Sequence, residues 1–395
     1  MRKSRFTEYQ IVGVLGLGMT YRQDVETSAI EWPESGFSAI RIRSNLFVKI
    51  SSSTRYAVGL MLGALLVACS SGASRFAPST AMQQSAVGLG TNVPQMGRIP
   101  GLPQRSVAAT AAHPDHGRSW MAPDAKTNDL LYISSWLNGD VYVYSYPHDR
   151  LKGTLTGFSS PAGECVDKSG DVFITSKSGI LEYAHGGTKP IATLKDVGLA
   201  QGCSVDPKTG NLAVTNYSAT SSAKVQGNVA IYKDAKGRPT YRTDSNIYHE
   251  DFCGYDNAGN LFVDGQGFSS GGLRLSEIPS GKTFFKKITL NQTFLGAGGV
   301  QWDGKHLAVG NNTEGPGTIY EFAINGAKGT KVGSTPLNDS GGAEQFWIEQ
   351  ANVIVPEPFT NDVGIWAYPA GGSAKKTITG GFDFPLGATV SKVRI

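Results

Sequence analysis

A strand–turn–strand pattern that repeats between residues 163 and 310 constrains the fold more than any other feature. Residues 163–175 read GECVDKSGDVFIT, in which β-branched and aromatic residues flank a Lys-Ser-Gly turn that tolerates positive φ. Segments of the same form follow at residues 202–215, 253–264 and 299–310. The pattern therefore predicts a succession of β-hairpins rather than helices.

The hairpins recur at a period that indicates how they assemble. Periods of about 40–50 residues with several short strands in each are typical of β-propeller blades. We predict an all-β fold over residues 119–395, a six-bladed β-propeller of four-stranded antiparallel blades. Pairing of residues 386–391 with residues 130–133 would close the ring and remove two exposed sheet edges. The polar residues that mark the ends of the six inner strands are Asp167, Asp206, Asp256, Asp303, Glu349 and Ser391.

Residues 49–69 have the composition of a processing signal. Lys49 and Arg55 provide a positive flank, and residues 57–68 are continuously apolar. About a dozen apolar residues are too few to cross a bilayer but suit the apolar core of a signal peptide. The run ends in LVAC, which resembles the bacterial lipobox. This resemblance implies cleavage before Cys69 and attachment of a lipid to its thiol.

The signal divides the chain into four predicted parts. Because it is internal, we interpret residues 1–48 as a non-native extension or a mis-assigned start. Residues 70–118 are rich in Ser, Ala, Gly, Pro and Gln and show no strand or helix period. Such a segment cannot bury enough apolar area to offset chain entropy, so we expect a disordered tether before the propeller.

Composition limits the compartments in which we expect the protein and the classes of partner that we expect it to bind. Only 17% of the residues are charged, and the formal net charge is +4 with no dense Lys/Arg cluster. We therefore expect no nucleic-acid binding. Together with the lipobox, these features predict a lipid-anchored monomer in the cell envelope, either periplasmic or at the cell surface.

Polar side chains gather at one end of the predicted blades. The loop before each inner strand and the turn after each second strand share this end, above the central channel. Oxygen atoms that converge at this end would suit Ca²⁺, which takes six to eight oxygen ligands. The alternative is that these polar loop residues form hydrogen bonds with each other and with water in the channel. His249-Glu-Asp251 resembles an acid–base cluster, although such residues also cap backbone groups. The predicted binding face comprises Trp136, His249, Glu250, Asp251, Glu344 and Glu357.

The repeat also resembles a known family. Residues 161–175 and their copies follow the pattern Pro-x-Gly-x-x-Val-Asp, a glycine turn and a Leu/Val-Tyr/Phe-Val strand. This is similar to the NHL-repeat and SMP-30/gluconolactonase-like propellers. The resemblance implies six blades and, for the lactonases, a metal in the channel mouth that polarises a lactone carbonyl. By this resemblance the nearest metal ligands are Glu164, Asn216, Asp264 and Asn311.

Three cysteines lie in the predicted propeller. Cys203 and Cys253 each stand three residues before a marker aspartate, on what we predict to be adjacent inner strands. Our hypothesis is a Cys203–Cys253 disulfide, which an oxidising compartment would favour if the Cα atoms lie within about 7 Å. The alternative is buried free thiols facing strand neighbours.

The sequence favours a binding role over catalysis. We expect a lipid-anchored propeller that presents a rigid face to an unknown protein or glycan partner. The alternative function is a calcium-dependent hydrolase of the lactonase type, with Ca²⁺ as its cofactor. A structural lipoprotein without a ligand is the third option, since propellers host all of these roles.

The lipobox generates the first testable prediction. In a bacterial host, mass spectrometry of the membrane-extracted protein should find a diacylglycerol-modified Cys69 as the first residue. Cys69→Ala should leave the protein unlipidated and uncleaved, because the peptidase cuts only before the modified thiol. Recovery of wild-type protein that still carries residues 1–68 would contradict the prediction.

Overall fold

The computed structural model describes residues 117–222, 224–268, 272–312 and 315–394. The predicted extension, the signal with Cys69 and nearly all of the tether lie outside the described residues. The helices in the described part are two 3₁₀ turns, Ala125–Thr127 and Lys233–Ala235, and everything else regular is strand. Neither of these helices has the length and apolarity needed to cross a membrane. The fold is all-β, as predicted.

The first sheet brings together strands from both ends of the described chain. Its order is β1-β4-β3-β2-β26, with neighbouring strands antiparallel. In the pairing of the last strand with β2, Leu130 lies opposite Ser391 and Ile133 opposite Ala388. The strands are β1 Trp120–Met121, β2 Asp129–Ser135, β3 Asp140–Tyr146, β4 Arg150–Leu155 and β26 Pro385–Ser391.

Three further sheets are antiparallel and have four strands each. In each, the first strand lies at one edge and is followed outwards by the next strands in sequence order. The first comprises β5 Glu164–Val166, β6 Val172–Ser176, β7 Gly179–Tyr183 and β8 Pro190–Leu194. The second comprises β9 Ala200–Val205, β10 Leu212–Asn216, β11 Asn228–Tyr232 and β12 Thr240–Arg242. The third comprises β21 Trp347–Glu349, β22 Asn352–Glu357, β23 Asp362–Ala367 and β25 Lys376–Ile378.

The remaining sheet has nine strands and contains two antiparallel runs of four. A two-residue parallel pairing joins the runs at their outer strands, with Thr289 opposite Lys328 and Leu290 opposite Gly329. The first run is β13 His249–Tyr255, β14 Leu261–Gln266, β15 Leu273–Ile278 and β16 Lys286–Leu290. The second is β17 Ala297–Trp302, β18 Leu307–Asn311, β19 Gly317–Asn325 and β20 Lys328–Asn338, to which β24 Gly372–Ser373 is added. The whole is a β-propeller-like arrangement.

The marker aspartates build the turn between the first and second strands of a sheet. The Oδ1 atom of Asp167 accepts the backbone N–H of Ser169 at 2.7 Å, and the Oδ1 atom of Asp206 accepts the backbone N–H of Lys208 at 2.9 Å. Asp256 and Asp303 accept the N–H two residues later in the same way. An Asx turn of this kind offers the backbone a partner outside the strand ladder. The aspartate repeat therefore has a structural role.

Apolar side chains from neighbouring sheets form the core. Phe173 and Ile180 of one sheet pack with Leu212, Val214 and Tyr232 of the next, and all five are buried. Burying a side chain of this size contributes about 1.5–3 kcal/mol relative to exposure. Stability thus comes from contacts between the faces of adjacent sheets.

The disulfide hypothesis is wrong about the partner of Cys203. The bond joins Cys203 to Cys165, whose Cα atoms are 5.7 Å apart, and Cys253 is a buried free thiol. Cys203 and Cys253 hold the same register, so their side chains point in the same direction rather than towards each other. Cys165 stands only two residues before its aspartate, and the opposite parity turns it towards Cys203.

The cross-link yields the second prediction. Peptide mapping under non-reducing conditions should recover the Cys165 and Cys203 peptides linked, with Cys253 alkylated after unfolding. Because the bond closes a loop with a sequence separation of 38 residues, the double variant Cys165→Ser/Cys203→Ser should lose about 4 kcal/mol in free energy of unfolding. Cys253→Ala is the matched control and should keep the sensitivity of the melting temperature to reductant. A Cys203–Cys253 peptide would contradict this assignment.

Candidate functional site

The inner strands β5, β9, β13, β17 and β21 surround a central cavity of about 220 Å³. Glycines let these strands approach closely: a Cβ on Gly254 would lie 2.7 Å from the Val300 carbonyl oxygen. The cavity wall includes Trp302 and Trp347, whose indole N–H groups are buried without a hydrogen-bond partner. Such a space is smaller than the pockets of about 300–1,000 Å³ that hold drug-sized ligands.

The negative charge of Asp251, on β13, is felt by Asp264 on β14, and that of Glu344, in the loop before β21, is felt by Asp251; we call these three carboxyl groups the carboxylate cluster. Asp264, on the neighbouring strand β14, is fully buried; its Oδ1 accepts the Phe252 N–H at 3.0 Å, and the carboxylate also receives the Gly298 backbone N–H. Asp251 receives a hydrogen bond from the Gln266 side chain and has an unpartnered Oδ2. Glu344, in the loop before β21, is partly exposed.

The electrostatics of this cluster are unfavourable for ionised carboxylates. Burial, reinforced by the neighbouring Glu344, raises the pKa of Asp251 to about 8. Burial also raises the pKa of Glu344 to about 7, and burial together with Asp251 holds the pKa of Asp264 well above its usual range. Among the described residues, no lysine or arginine is ion-paired with any of the three. The cluster therefore lacks a positive counter-charge.

Three further predicted residues have a similar environment. Glu164 is fully buried at the start of β5, both of its carboxylate oxygens lack partners, and burial raises its pKa well above normal. Burial raises the pKa of Glu250 to about 9 and that of Glu357 to about 8. Glu357 accepts the Gly341 N–H. Most of the acidic groups singled out from the sequence are thus buried.

The four predicted metal ligands belong to different local networks. The Asn216 amide donates to Asp196 at 3.1 Å and to Asn228 at 2.9 Å. The Oδ1 of Asn311 accepts the Leu295 N–H at 3.1 Å. Of the four, Glu164 alone lines the central cavity. The metal site remains a prediction.

A different group of potential ligands lies at the turn between β17 and β18 and was not singled out from the sequence. One ligand atom each of Asp303, His306 and Glu321 lies within 4.8 Å of the others. Asp303 also accepts the Tyr368 hydroxyl at 2.8 Å, and Glu321 that of Thr335 at 3.4 Å. The only signal for this group in the sequence is the Asp-Gly-Lys-His turn. The hydrogen bonds that Asp303 and Glu321 accept from neighbouring hydroxyl groups give these carboxylates a structural role.

His249 sits in an aromatic stack beside the carboxylate cluster. Its ring is parallel to that of Tyr217 with centroids 4.0 Å apart, and Tyr248 meets it edge-on at 4.4 Å. The Nδ1 atom lies 2.6 Å from the Tyr217 carbonyl oxygen, which can only accept, so Nδ1 carries a proton. Burial lowers the pKa of His249, which favours a neutral ring with its lone pair on Nε2.

Exposed apolar side chains concentrate on one side of the molecule, which we call the loop face. It consists of the loops before the inner strands and the turns after the second strands. Trp136 is half-buried there, 6.0 Å from Phe384 and with the Lys177 ammonium 4.6 Å above its ring. Six of the nine large exposed apolar side chains in the described residues belong to this face: Leu137, Val197, Val225, Phe268, Leu295 and Phe359.

Comparison with known proteins supports the fold alone. No protein-family model matches the chain, and no curated protein matches it. A chain from the crystal structure of a nidogen/laminin complex, a propeller, is similar with a TM-score of 0.54 and 13% identity, covering 68% of this chain and 100% of that chain. A functionally unknown protein from Desulfotomaculum acetoxidans DSM 771 has a TM-score of 0.47 and 14% identity, covering 69% of this chain and 88% of that one.

The raised carboxyl pKa values predict that stability falls as pH rises. A group whose folded pKa exceeds its unfolded value stabilises fully below the unfolded pKa, near 4, and loses this contribution as pH approaches the folded pKa. For Asp251, with a folded pKa of about 8, the loss between pH 7 and 9 is about 1.4 kcal/mol. Thermal melts should show this decline, and Asp251→Asn should flatten it. A melting temperature independent of pH in this window would contradict the assignment.

Proposed function

We propose that this protein is an extracytoplasmic, lipid-anchored six-bladed propeller with a binding role, exercised through its loop face. The propeller fold is compatible with such a role. The observation that carries the proposal is the pairing, on one face, of exposed apolar side chains with buried carboxyls that lack counter-charges. Monomeric proteins rarely expose a large apolar surface without an interaction partner.

The number of blades is part of this proposal. Its support is six groups of four antiparallel strands, two of which share the nine-stranded sheet through a two-residue link. Ring closure is supported by the register of β26 against β2. The nidogen chain of similar fold was solved in a complex with laminin, so a propeller is able to present a partner-binding surface.

The location follows from the sequence and from one feature of the fold. The basic flank, apolar run and LVAC segment that end at Cys69 support a lipid anchor. The Cys165–Cys203 disulfide supports a periplasmic or cell-surface location, because disulfides persist in oxidising compartments. The propeller would then be held near a membrane by a tether, with its loop face available to a protein or a glycan.

A calcium-dependent lactonase-like hydrolase is the second candidate. Both carboxylate oxygens of Glu164 and the Oδ2 atom of Asp264 lack partners, and these two residues are among the ligands implied by the NHL-repeat and SMP-30-like resemblance, which favours it. The Asn311 oxygen opposes it, because it already accepts the Leu295 N–H, whereas only the Nδ2 atom of Asn216 is engaged and the Asn216 Oδ1 has no partner. This balance places the hydrolase second to the binding role.

Photo-crosslinking in living cells tests the binding role. Phe359 on the loop face is 57% exposed, and Phe284, between β15 and β16 at the opposite end, is 58% exposed. With p-benzoylphenylalanine at position 359 we expect a discrete adduct that resists salt washing, because this face contacts the partner. The matched probe at position 284 should give none.

Identical adduct patterns from the two positions, or none from position 359, would contradict the binding role. The hydrolase is tested separately with purified protein and simple γ- and δ-lactones. Calcium-dependent turnover together with a calcium-dependent rise in melting temperature, both lost in Asp264→Ala, would favour the enzyme.

A further inference from the structure

The turn between β17 and β18 brings His306 next to Asp303. The Oδ1 atom of Asp303 accepts the backbone N–H groups of Lys305 at 2.7 Å and His306 at 2.6 Å, and the Asp303 N–H donates to the His306 carbonyl oxygen at 3.1 Å. Gly304 has a φ of +101°, a left-handed conformation that glycine adopts without steric cost. The Nδ1 atom of His306 lies 4.0 Å from the Oδ2 atom of Asp303. The turn therefore brings two potential metal ligands together.

The third potential ligand, Glu321, comes from strand β19. Its Oε2 atom lies 4.0 Å from the Nδ1 atom of His306, and one ligand atom of each of the three residues lies within 4.8 Å of the others. The register of β19 against β20 shifts between Glu321 and Phe322, and such a bulge changes the direction of nearby side chains. Gly333 lies opposite Glu321, and a Cβ there would be 2.6 Å from the Oε2 atom. A glycine at this position thus makes room for the carboxylate.

Hydroxyl groups hold both carboxylates in a fixed orientation. Tyr368, which follows β23 in the neighbouring sheet, donates to the Asp303 Oδ2 atom at 2.8 Å. Thr335 on β20 donates to the Glu321 Oε1 atom at 3.4 Å. Hydrogen bonds of this kind orient the ligands of metal sites, and a carboxylate oxygen that accepts one of them still has a lone pair for a metal ion. The two carboxylates are therefore held with one oxygen each beside the His306 ring.

The charge of this group favours a cation. Among the residues that the structure describes, no lysine or arginine is ion-paired with Asp303 or Glu321. Burial and the neighbouring Asp303 raise the pKa of Glu321. The His306 side chain is 20% exposed, so an ion can reach the group from solvent. A bound cation would remove the repulsion between the two carboxylates.

The geometry points to a Zn²⁺-binding site formed by Asp303, His306 and Glu321. An imidazole nitrogen with carboxylate oxygens suits Zn²⁺, whereas Ca²⁺ and Mg²⁺ prefer oxygen ligands throughout. Three protein ligands leave the fourth tetrahedral position to water. The ligand atoms of a tetrahedral zinc centre lie about 3.4 Å apart, so the two 4.0 Å distances need to shorten by only a few tenths of an ångström.

The site lies away from the surface to which we assign the binding role. Turns between the first and second strands of a sheet are at the opposite end of the strands from the loop face. The metal site therefore goes beyond the proposed function and does not depend on it. It is also distinct from the calcium site of the lactonase alternative, because none of its three residues belongs to that ligand set.

Titration of the purified full-length protein, without an added histidine tag, tests this site. Calorimetry with ZnCl₂ should show saturable binding, and Co²⁺ should give visible absorption with the intensity of a four-coordinate centre. Ca²⁺ and Mg²⁺ at the same concentrations should give neither signal. A free Zn²⁺ concentration of about a hundred times Kd should raise the melting temperature by about 5 °C, because the ion binds the folded state.

Substitutions locate the site and test the orienting hydroxyl. His306→Gln and Glu321→Gln should each weaken Zn²⁺ binding by about tenfold or more, since each replaces a ligand. Tyr368→Phe keeps all three ligands and should weaken binding by about tenfold, because it releases the Asp303 carboxylate. A hydroxyl with a structural role alone would change the melting temperature and leave Zn²⁺ affinity unchanged. The matched control is His148→Asn, an exposed histidine in the turn between β3 and β4, which should not alter binding.

Several outcomes would overturn the inference. They are the absence of saturable Zn²⁺ binding, equal binding of Ca²⁺, and Zn²⁺ binding that survives both ligand substitutions. Loss of binding in His113→Ala/His116→Ala with no effect of His306→Gln would assign the ion to the predicted tether instead. Circular dichroism verifies that each variant folds, and the Co²⁺ spectrum of the wild-type protein decides the coordination without any variant. Crosslinking at position 359 without Zn²⁺ binding would leave the binding role standing and remove only this site.

Discussion

Burying several carboxyl groups side by side is unfavourable, and the rest of the structure has to hold them in place. Removing an ionised carboxylate from water costs several kcal/mol unless it is paired, so isolated buried acids take up protons instead. Here the backbone N–H of Phe252 holds Asp264, and that of Gly341 holds Glu357. The apolar contacts between sheets, such as those of Phe173 with Leu212, supply the stability that offsets this cost.

One position of the inner strand carries side chains of different chemistry in different repeats. The residue three before each inner-strand marker is buried in all six repeats, in a slot that faces a neighbouring sheet. Two of these residues are cysteines and three are apolar, which is what a packed slot requires. Glu164 is the exception. A charged residue in a slot otherwise filled by apolar or sulfur-containing side chains indicates a role other than packing. The six residues are Glu164, Cys203, Cys253, Val300, Phe346 and Ala388.

Features that depend on residues close together in the chain were predictable from the sequence. Contacts between distant loops were not predictable. The strand–turn–strand repeat follows from the alternation of apolar and polar residues along each strand. The turns follow from the ability of the marker aspartates to accept a nearby backbone N–H. The disulfide partner was also within reach, because strand parity places Cys165 rather than Cys253 opposite Cys203. By contrast, the sequence does not show that Asp196 binds the Asn216 amide and the hydroxyls of Tyr232 and Tyr241. These contacts depend on tertiary positions that no local pattern encodes.

The chemistry of the loop face is the basis on which we propose binding ahead of hydrolysis. A hydrolytic centre needs a free nucleophile or a metal with several open oxygen ligands. Cys253 is buried, and burial raises the pKa of its thiol, so it is an inert thiol rather than a nucleophile. The Oδ1 of Asn311 is occupied by the Leu295 N–H, whereas the Oδ1 of Asn216 is a buried acceptor without a partner, as are both carboxylate oxygens of Glu164. The exposed apolar side chains of the same face form a surface that a partner can cover, and this surface, which a buried hydrolytic centre does not require, supports our proposal of a binding role.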